Sequence, residues 1–208
     1  MIIIKVIAFC GIDGSGKSTY IKYLYKYLKR RNLDVLIIDS MNNGAFNKSL
    51  MQGSSCRKNE LYNKFSPELI SLTYALDLIN GLNNAKKLEN QILITHRHSL
   101  CCHAYAKLFC KDVDIITKIL TLVEKPDLII YLDTNPEIAY KRIIMRGDEL
   151  TIKENLEKLK TVSQNYYELI NSSKSDILII KTDIDISENG VNLRLLEDKI
   201  ESLLLTQM

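Results

Sequence analysis

The chain has 208 residues, of which 46% are hydrophobic and 25% are charged, and this balance suits one domain with a substantial core. The formal net charge of +3 is small and the lysines are dispersed, so we expect no nucleic-acid partner. No apolar run approaches the length that crosses a bilayer, so we expect no membrane partner either. We therefore predict a single domain over residues 1–208.

The cysteines indicate a reducing compartment. There are five of them, none forms a C-x-x-C pair, and the adjacent Cys101 and Cys102 have poor geometry for a disulfide. Residues 1–9 lack the basic region and the small-residue cleavage site of a signal peptide, so we predict that they form a strand. The sequence thus predicts reduced thiols and a cytoplasmic protein.

Short apolar runs alternate along the chain with longer segments of helical periodicity. The predicted strands cover residues 2–9, 35–38, 91–95, 127–132 and 177–180. The predicted helices cover about 17–31, 66–89, 100–110, 112–124, 136–146, 152–171 and 191–206, with a polar loop and a short helix over 41–59. Because every strand is nearly all apolar, the expected fold is an α/β three-layer sandwich with a five-stranded parallel sheet flanked by helices.

One motif lies between the first strand and the first helix. Gly11-Ile12-Asp13-Gly14-Ser15-Gly16-Lys17-Ser18-Thr19 fits G-x-x-x-x-G-K-[ST], the phosphate-binding loop or P-loop. The glycines allow backbone N–H groups to approach a polyphosphate, and the helix N-terminus adds positive partial charge. We predict that these nine residues bind ATP, that Lys17 reaches the β- and γ-phosphates, and that the Ser18 hydroxyl ligates Mg²⁺. A chance match in a glycine-rich turn is the alternative, which the flanking strand and helix disfavour.

Three arginines are candidate phosphate ligands, because ligands bind beyond the carboxyl ends of parallel strands. Arg97 directly follows the third strand and is predicted to point into the cleft. Arg142 and Arg146 are four residues apart on one helix beside Gly147, and such a pair is suited to close over a transferring phosphate. The alternative is two solvated arginines on a surface helix.

Three carboxylates and two histidines are candidates to bind or orient a metal or a substrate. Asp13 is predicted to orient a substrate hydroxyl or a water bound to Mg²⁺, the alternative being a bond that stabilises the loop. Asp39 and Asp133 each end an apolar strand and are alternative outer-shell metal carboxylates, although a helix cap is the favoured role for Asp133. His96 and His98 are disfavoured as metal ligands, since no Cys or carboxylate accompanies them at zinc-binding spacing.

Two tyrosines lie on predicted helices near the cleft. Tyr74 and Tyr105 are candidates to stack on a substrate base. Aromatic residues at helical spacing also pack in cores, and that alternative stays open for both.

Four segments together resemble the thymidylate kinase family of P-loop kinases. They are the loop at 11–19 with its acid Asp13, His96-Arg97-His98-Ser99 with Ala104-Tyr105, Pro126 to Asp133 continuing through Asn135 to Arg142, and Arg146-Gly147-Asp148 with the later Tyr166. The resemblance implies a P-loop kinase fold with a small lid around 142–152. It also implies ATP- and Mg²⁺-dependent phosphoryl transfer to a nucleoside monophosphate, dTMP to dTDP above all, by a homodimer.

The resemblance also implies roles for single residues. Lys17 and Arg97 would hold phosphates, Asp13 would lie near the sugar of the acceptor, and Arg142 and Arg146 would belong to the lid.

The departures from the family pattern concern the acceptor. His96 replaces the Asp before the cleft arginine, and Leu78 replaces the Arg that recognises thymine. The family's segment after the second strand is absent from 38–43. Transfer to another small acceptor, such as a deoxynucleoside or a biosynthetic intermediate, is therefore a second hypothesis, and ATP binding with weak transfer activity is a third.

Overall fold

Five parallel strands form one sheet in the order β2-β3-β1-β4-β5. The computed structural model describes residues 5–39, 44–53, 60–88, 92–147, 150–186 and 190–205. The strands are β1 (Lys5–Cys10), β2 (Val35–Ile38), β3 (Ile92–His96), β4 (Leu128–Asp133) and β5 (Ile177–Lys181). The helices in these ranges are α1 (Lys17–Lys29), α2 (Ala45–Gly53), α3 (Leu61–Lys64), α4 (Pro67–Lys86), α5 (Ser99–Phe109), α6 (Asp114–Leu120), α7 (Pro136–Arg146), α8 (Leu156–Ser172) and α9 (Gly190–Leu205).

Helices cover both faces of the sheet, so the predicted α/β P-loop kinase fold is confirmed. Ile7 and Phe9 of β1 point to one face and pack with α1 and α9. Val6, Ala8 and Cys10 point to the other face and pack with α4, α5 and α8. This burial on both sides explains why the strands are continuous apolar runs rather than alternating ones.

The strand register brings the candidate loops to one edge. β1 pairs with β3 on one side, where Phe9 is opposite His96, and with β4 on the other, where Cys10 is opposite Tyr131. The residues that follow these three strands therefore lie side by side at their carboxyl ends, which is where open parallel sheets bind ligands.

Several element boundaries differ from the prediction. Residues 2–4 of the first predicted strand lie outside the described residues. In the region 41–59, predicted as a polar loop with a short helix, the helix is the nine-residue α2, and the unpredicted helix α3 follows the region. Helix α8 begins at Leu156 rather than 152. Asn155 explains the later start, because its side chain accepts a hydrogen bond from the Lys158 N–H and caps α8.

Asp133 is not a helix cap, and that prediction is wrong. Asn135 is the N-cap of α7, where its side chain accepts from the Glu137 N–H at 2.8 Å. Asp133 is instead the last residue of β4 and accepts a hydrogen bond from the Tyr167 hydroxyl at 2.5 Å. Asn135 stands directly before Pro136, and proline at the first helical position is what places the cap there.

Among the described residues, no helix combines the length and the apolar character that crossing a membrane would require.

Candidate functional site

The P-loop wraps the start of α1 with its backbone. Gly14 and Gly16 have φ values of +82° and +90°, which side chains with a Cβ disfavour. A Cβ on Gly14 would lie 2.4 Å from the carbonyl oxygen of Ala139, so α7 leaves room there for glycine alone. Gly16 is the N-cap of α1 and, as a glycine, has no side chain to bond the first N–H groups of this helix. The loop thus forms a backbone cradle with the positive end of a helix at its base, which fits a polyphosphate.

Lys17 lies under this cradle and is 5% exposed. Its Nζ donates to the carbonyl oxygens of Gly11 at 3.0 Å and Ile12 at 2.7 Å. Both oxygens have a second donor, the Tyr166 hydroxyl at 3.3 Å for Gly11 and the Ser15 N–H at 3.2 Å for Ile12. Burial, and then the nearby charge of Arg97, lowers the pKa of Lys17 to about 7. A bound anion would favour the charged ammonium and raise this pKa again.

A cavity of about 610 Å³ opens above the loop. Ser18 and Thr19 are exposed and line it. Four cations from three other parts of the chain also line it, namely Arg97, Arg142, Arg146 and Lys153. The structure thus brings the P-loop and all three predicted arginines to one cavity.

Asp13 is the centre of a charged cluster on one side of this cavity. Its Oδ1 is bonded by Nη2 of Arg97, and its Oδ2 accepts from the Tyr105 hydroxyl at 3.0 Å. Nζ of Lys153 lies 3.3 Å from the same Oδ2. Burial alone would raise the pKa of Asp13, but the charges of Arg97, Lys153 and Lys17 outweigh it and hold the pKa well below its usual range. Asp13 therefore stays ionised.

Arg97 is held in an unusual backbone conformation. It is 5% exposed and has φ +76°, in the left-handed region that residues with side chains rarely adopt. Such a conformation costs about 1–3 kcal/mol and persists where the surroundings determine it. Here the Arg97 N–H donates to the Phe9 carbonyl at 3.0 Å, while its guanidinium is paired with Asp13. The strained turn aims the side chain into the cleft, as predicted from its place after β3.

Arg142 and Arg146 line the cavity but contact different partners. Nη2 of Arg142 lies 3.3 Å from the Asp183 carbonyl oxygen and 3.4 Å from that of Ile184. Nη2 of Arg146 donates to Glu154 at 2.9 Å. Glu154 is only 6% exposed, so this pair anchors the segment that follows α7.

A smaller cavity of about 220 Å³ adjoins the start of α1. Gly16, Tyr20 and Arg142 line one side of it, and residues 182–186 after β5 line the other. Ile184 and Ile186 contribute apolar surface to the latter wall, beside the polar Thr182 and Asp185. Its size and its place beside the phosphate cradle suit a purine base.

The tyrosines differ in their surroundings. Tyr105 bonds Asp13 directly, whereas Tyr74 packs between two apolar clusters and bonds Asn47. Burial raises the pKa of Tyr74, and the charges of Arg97 and Asp13 also act on it, so Tyr74 lies near the same end of the cleft. Tyr74 thus packs in the core, which was the alternative to base stacking, and it also lies next to the charged cluster.

Leu78 does not occupy a polar base-recognising position. It is fully buried among apolar side chains such as Val6 and Leu93. An arginine in its place would have its guanidinium in the core, where an unpaired charge is strongly unfavourable. The neighbouring Asp77 is 1% exposed and accepts from the backbone N–H groups of Phe46 and Asn47, so it caps α2.

The sequence does not identify Lys153 and Glu154 as residues of the site. Both lie in a stretch with several lysines and glutamates, and no pattern distinguishes them from Lys158 or Glu157. Only the fold of the segment between α7 and α8 brings Lys153 to Asp13.

The parallel sheet, the backbone cradle and the cationic cavity define a P-loop phosphotransferase. The family model described as thymidylate kinase matches residues 9–190. The chain therefore belongs to the thymidylate kinase family.

Curated relatives carry the same name. The probable thymidylate kinase of Methanococcus aeolicus is 31% identical over 186 residues, which cover 86% of this chain and 88% of the relative. The thymidylate kinase of Desulfotalea psychrophila is 32% identical over 160 residues, covering 76% and 78%. That of Thermoanaerobacter sp. is 27% identical over 170 residues, covering 80% and 83%.

Proposed function

We propose that this protein transfers the γ-phosphoryl group of ATP to dTMP and forms dTDP, with Mg²⁺ bound to the nucleotide. The observation that supports this most is the joining of two half-sites in one cavity. The P-loop supplies a cradle for the donor phosphates, and the Asp13–Arg97–Tyr105 cluster beside it supplies a place for an acceptor that carries both a phosphate and a sugar.

The donor half rests on backbone and ammonium groups. The loop N–H groups and Lys17 would hold the β- and γ-phosphates, and the smaller cavity along residues 182–186 would take the adenine. Within the described residues, no three His, Cys, Asp or Glu side chains group closely enough to hold a metal ion. This fits Mg²⁺, which takes most of its ligands from phosphates and water, with the exposed Ser18 hydroxyl as a protein ligand. The ion would neutralise charge on the transferring group.

The acceptor half rests on Arg97 and Asp13. Arg97 would bind the acceptor phosphate by paired N–H donors, and its contact with Asp13 fixes the guanidinium plane in advance. Asp13 and Tyr105 would bind the sugar hydroxyl, with Tyr74 at the edge of the base site.

Lys153, Arg142 and Arg146 would supply the charge that stabilises the transition state, as members of a lid around 142–152 and just beyond it. Lys153 reaches furthest into the site, because its Nζ is 3.3 Å from Asp13 while each arginine contacts a partner outside the loop.

Replacing Lys153 by methionine is expected to lower kcat about 100-fold, because the change keeps the stem and removes one charged donor from the transition state. Steady-state kinetics with ATP and dTMP measure this. Lys160→Met is the matched control, because Lys160 is an exposed lysine of α8 that pairs with Glu137 and Glu157 at the surface. Equal kcat values for the two variants would contradict the role of Lys153.

The acceptor is tested by the rate of ADP release with a panel of nucleoside monophosphates, deoxynucleosides and other small hydroxyl or phosphate compounds. We expect dTMP to give the fastest release. If another compound supports release and dTMP does not, the protein is a kinase for that acceptor. If none accelerates ATP turnover, the assignment as a transferring kinase fails and ATP binding with weak activity replaces it.

We further propose that the protein acts as a homodimer in the cytoplasm. Leu69 and Leu76 are seven residues apart on α4 and are 41% and 38% exposed, which supports a partner for that helix. The free thiols of the described cysteines, Cys10, Cys101, Cys102 and Cys110, support a reducing compartment.

A further inference from the structure

Asp39 and His96 meet at the ends of two neighbouring strands. Asp39 directly follows β2, His96 is the last residue of β3, and the two strands are parallel neighbours. Nδ1 of His96 lies 3.3 Å from Oδ1 of Asp39. A carboxylate can only accept hydrogen bonds, so Nδ1 donates in this contact, and a metal ion would bind at Nε2.

His96 contacts Asp39 and also lines the phosphate cavity. His96 lines the 610 Å³ cavity together with Lys17 and Ser18, whereas Asp39 lines a separate groove along β2. His96 is therefore the residue that connects Asp39 with the cavity. A carboxylate that fixes one nitrogen of a histidine while the other faces a site is the arrangement that orients histidine as a metal ligand.

The second candidate carboxylate has another role. Asp133 accepts from the Tyr167 hydroxyl at 2.5 Å, on the β4 side of the sheet. Of the two acids that end strands, Asp39 is the one joined to the phosphate cavity, and it is joined through His96. The sequence disfavours histidine as a ligand because no carboxylate lies near it along the chain, but the fold brings one from 57 residues away.

We propose that His96, oriented by Asp39, is a nitrogen ligand of the divalent ion that accompanies the bound nucleotide. This inference rests on the proposed function, since the nucleotide brings the ion into the cavity beside Ser18. Mg²⁺ prefers oxygen ligands, whereas later first-row ions such as Co²⁺ bind imidazole more strongly. The protein should therefore use Co²⁺ better, relative to Mg²⁺, than the same site without His96.

The direct test is pulsed electron paramagnetic resonance on Mn²⁺ bound with the β,γ-methylene analogue of ATP to protein labelled with ¹⁵N-histidine. We expect hyperfine coupling from one directly bound ¹⁵N, and its loss in His96→Gln. His103→Gln is the matched control and should keep the coupling, because His103 faces Thr117 on α6. Asp39→Asn should keep the coupling but weaken Mn²⁺ binding about tenfold, as expected for a positioning residue.

Two results would overturn the inference. One is Mn²⁺ with the analogue bound to the unaltered protein but without ¹⁵N coupling, and the other is coupling that survives in His96→Gln. Both results concern only the nucleotide site, so a failure of the proposed transfer to dTMP is distinguished by the ADP-release panel, while calorimetry shows that the analogue is bound.

The preference between metals gives a second, kinetic readout. In His96→Asp, the kcat/KM with Co²⁺ divided by that with Mg²⁺ is expected to fall about tenfold, since the nitrogen ligand is replaced by oxygen. A ratio equal to that of the unaltered protein would contradict the proposal.

Discussion

Replacing Lys17 by alanine is expected to lower kcat about 1000-fold and leave no measurable turnover above background. The ammonium is the only buried cation of the P-loop itself among the described residues, and electrostatic stabilisation of the transferring phosphoryl group depends on donors of this kind. Coupled ADP-release kinetics at saturating ATP measure the loss. Retained turnover would contradict the assignment of the P-loop as the catalytic site.

The matched control is Lys22→Ala. Lys22 is an exposed lysine on the same helix α1, and its removal should change kcat by less than about twofold. Thermal unfolding of both variants distinguishes a catalytic loss from a folding loss. Both should unfold cooperatively, because the two carbonyl oxygens that accept from Lys17 keep a second donor in the variant.

The second large effect is a loss of folding stability, which is expected for Asp13→Asn. Arg97 would lose its charged partner while remaining buried, and breaking a buried ion pair in this way costs about 3 kcal/mol. Chemical denaturation should therefore show a decrease of about 3 kcal/mol in the free energy of unfolding. The KM for the acceptor should rise as well, because the amide does not hold the guanidinium in place.

A double variant separates these two effects. Asp13→Asn with Arg97→Gln removes both charges and should recover part of the stability but none of the activity. Asp34→Asn is the control for losing an aspartate at the surface, since Asp34 pairs with Lys29 in an exposed contact that contributes little. A double variant no more stable than Asp13→Asn alone would show that Arg97 does not depend on this pair.

The sheet and the P-loop were predictable because their signals are local. A buried parallel strand needs a short run of apolar residues, and Val35–Ile38 is such a run in the sequence and a strand in the structure. The loop needs glycines at fixed spacing, so Gly14 and Gly16 identify it without knowledge of the fold. Arg97 was also predictable, because its place directly after a strand determines which edge of the sheet it reaches.

The remaining parts of the site depend on contacts between distant segments. Lys153 reaches Asp13 across 140 positions of the chain, and Asp39 reaches His96 from the neighbouring strand. The inward orientation of Leu78 follows from how α4 packs on the sheet, and a resemblance to a family motif does not contain that information. Asn135 has the capping role predicted for Asp133 because it stands directly before Pro136, the first residue of α7.

The carbonyl oxygens of Gly11 and Ile12 each accept two hydrogen bonds, and this lowers the reorganisation energy of the loop. If Lys17 moves to a phosphate as proposed, the Tyr166 hydroxyl still bonds the first oxygen and the Ser15 N–H still bonds the second. Neither buried acceptor is left unpaired, so the free energy of about 1–3 kcal/mol that such an orphaned group costs does not oppose nucleotide binding. We therefore expect Tyr166, on a helix that begins more than a hundred residues after the loop, to contribute to nucleotide affinity through its bond to the Gly11 carbonyl.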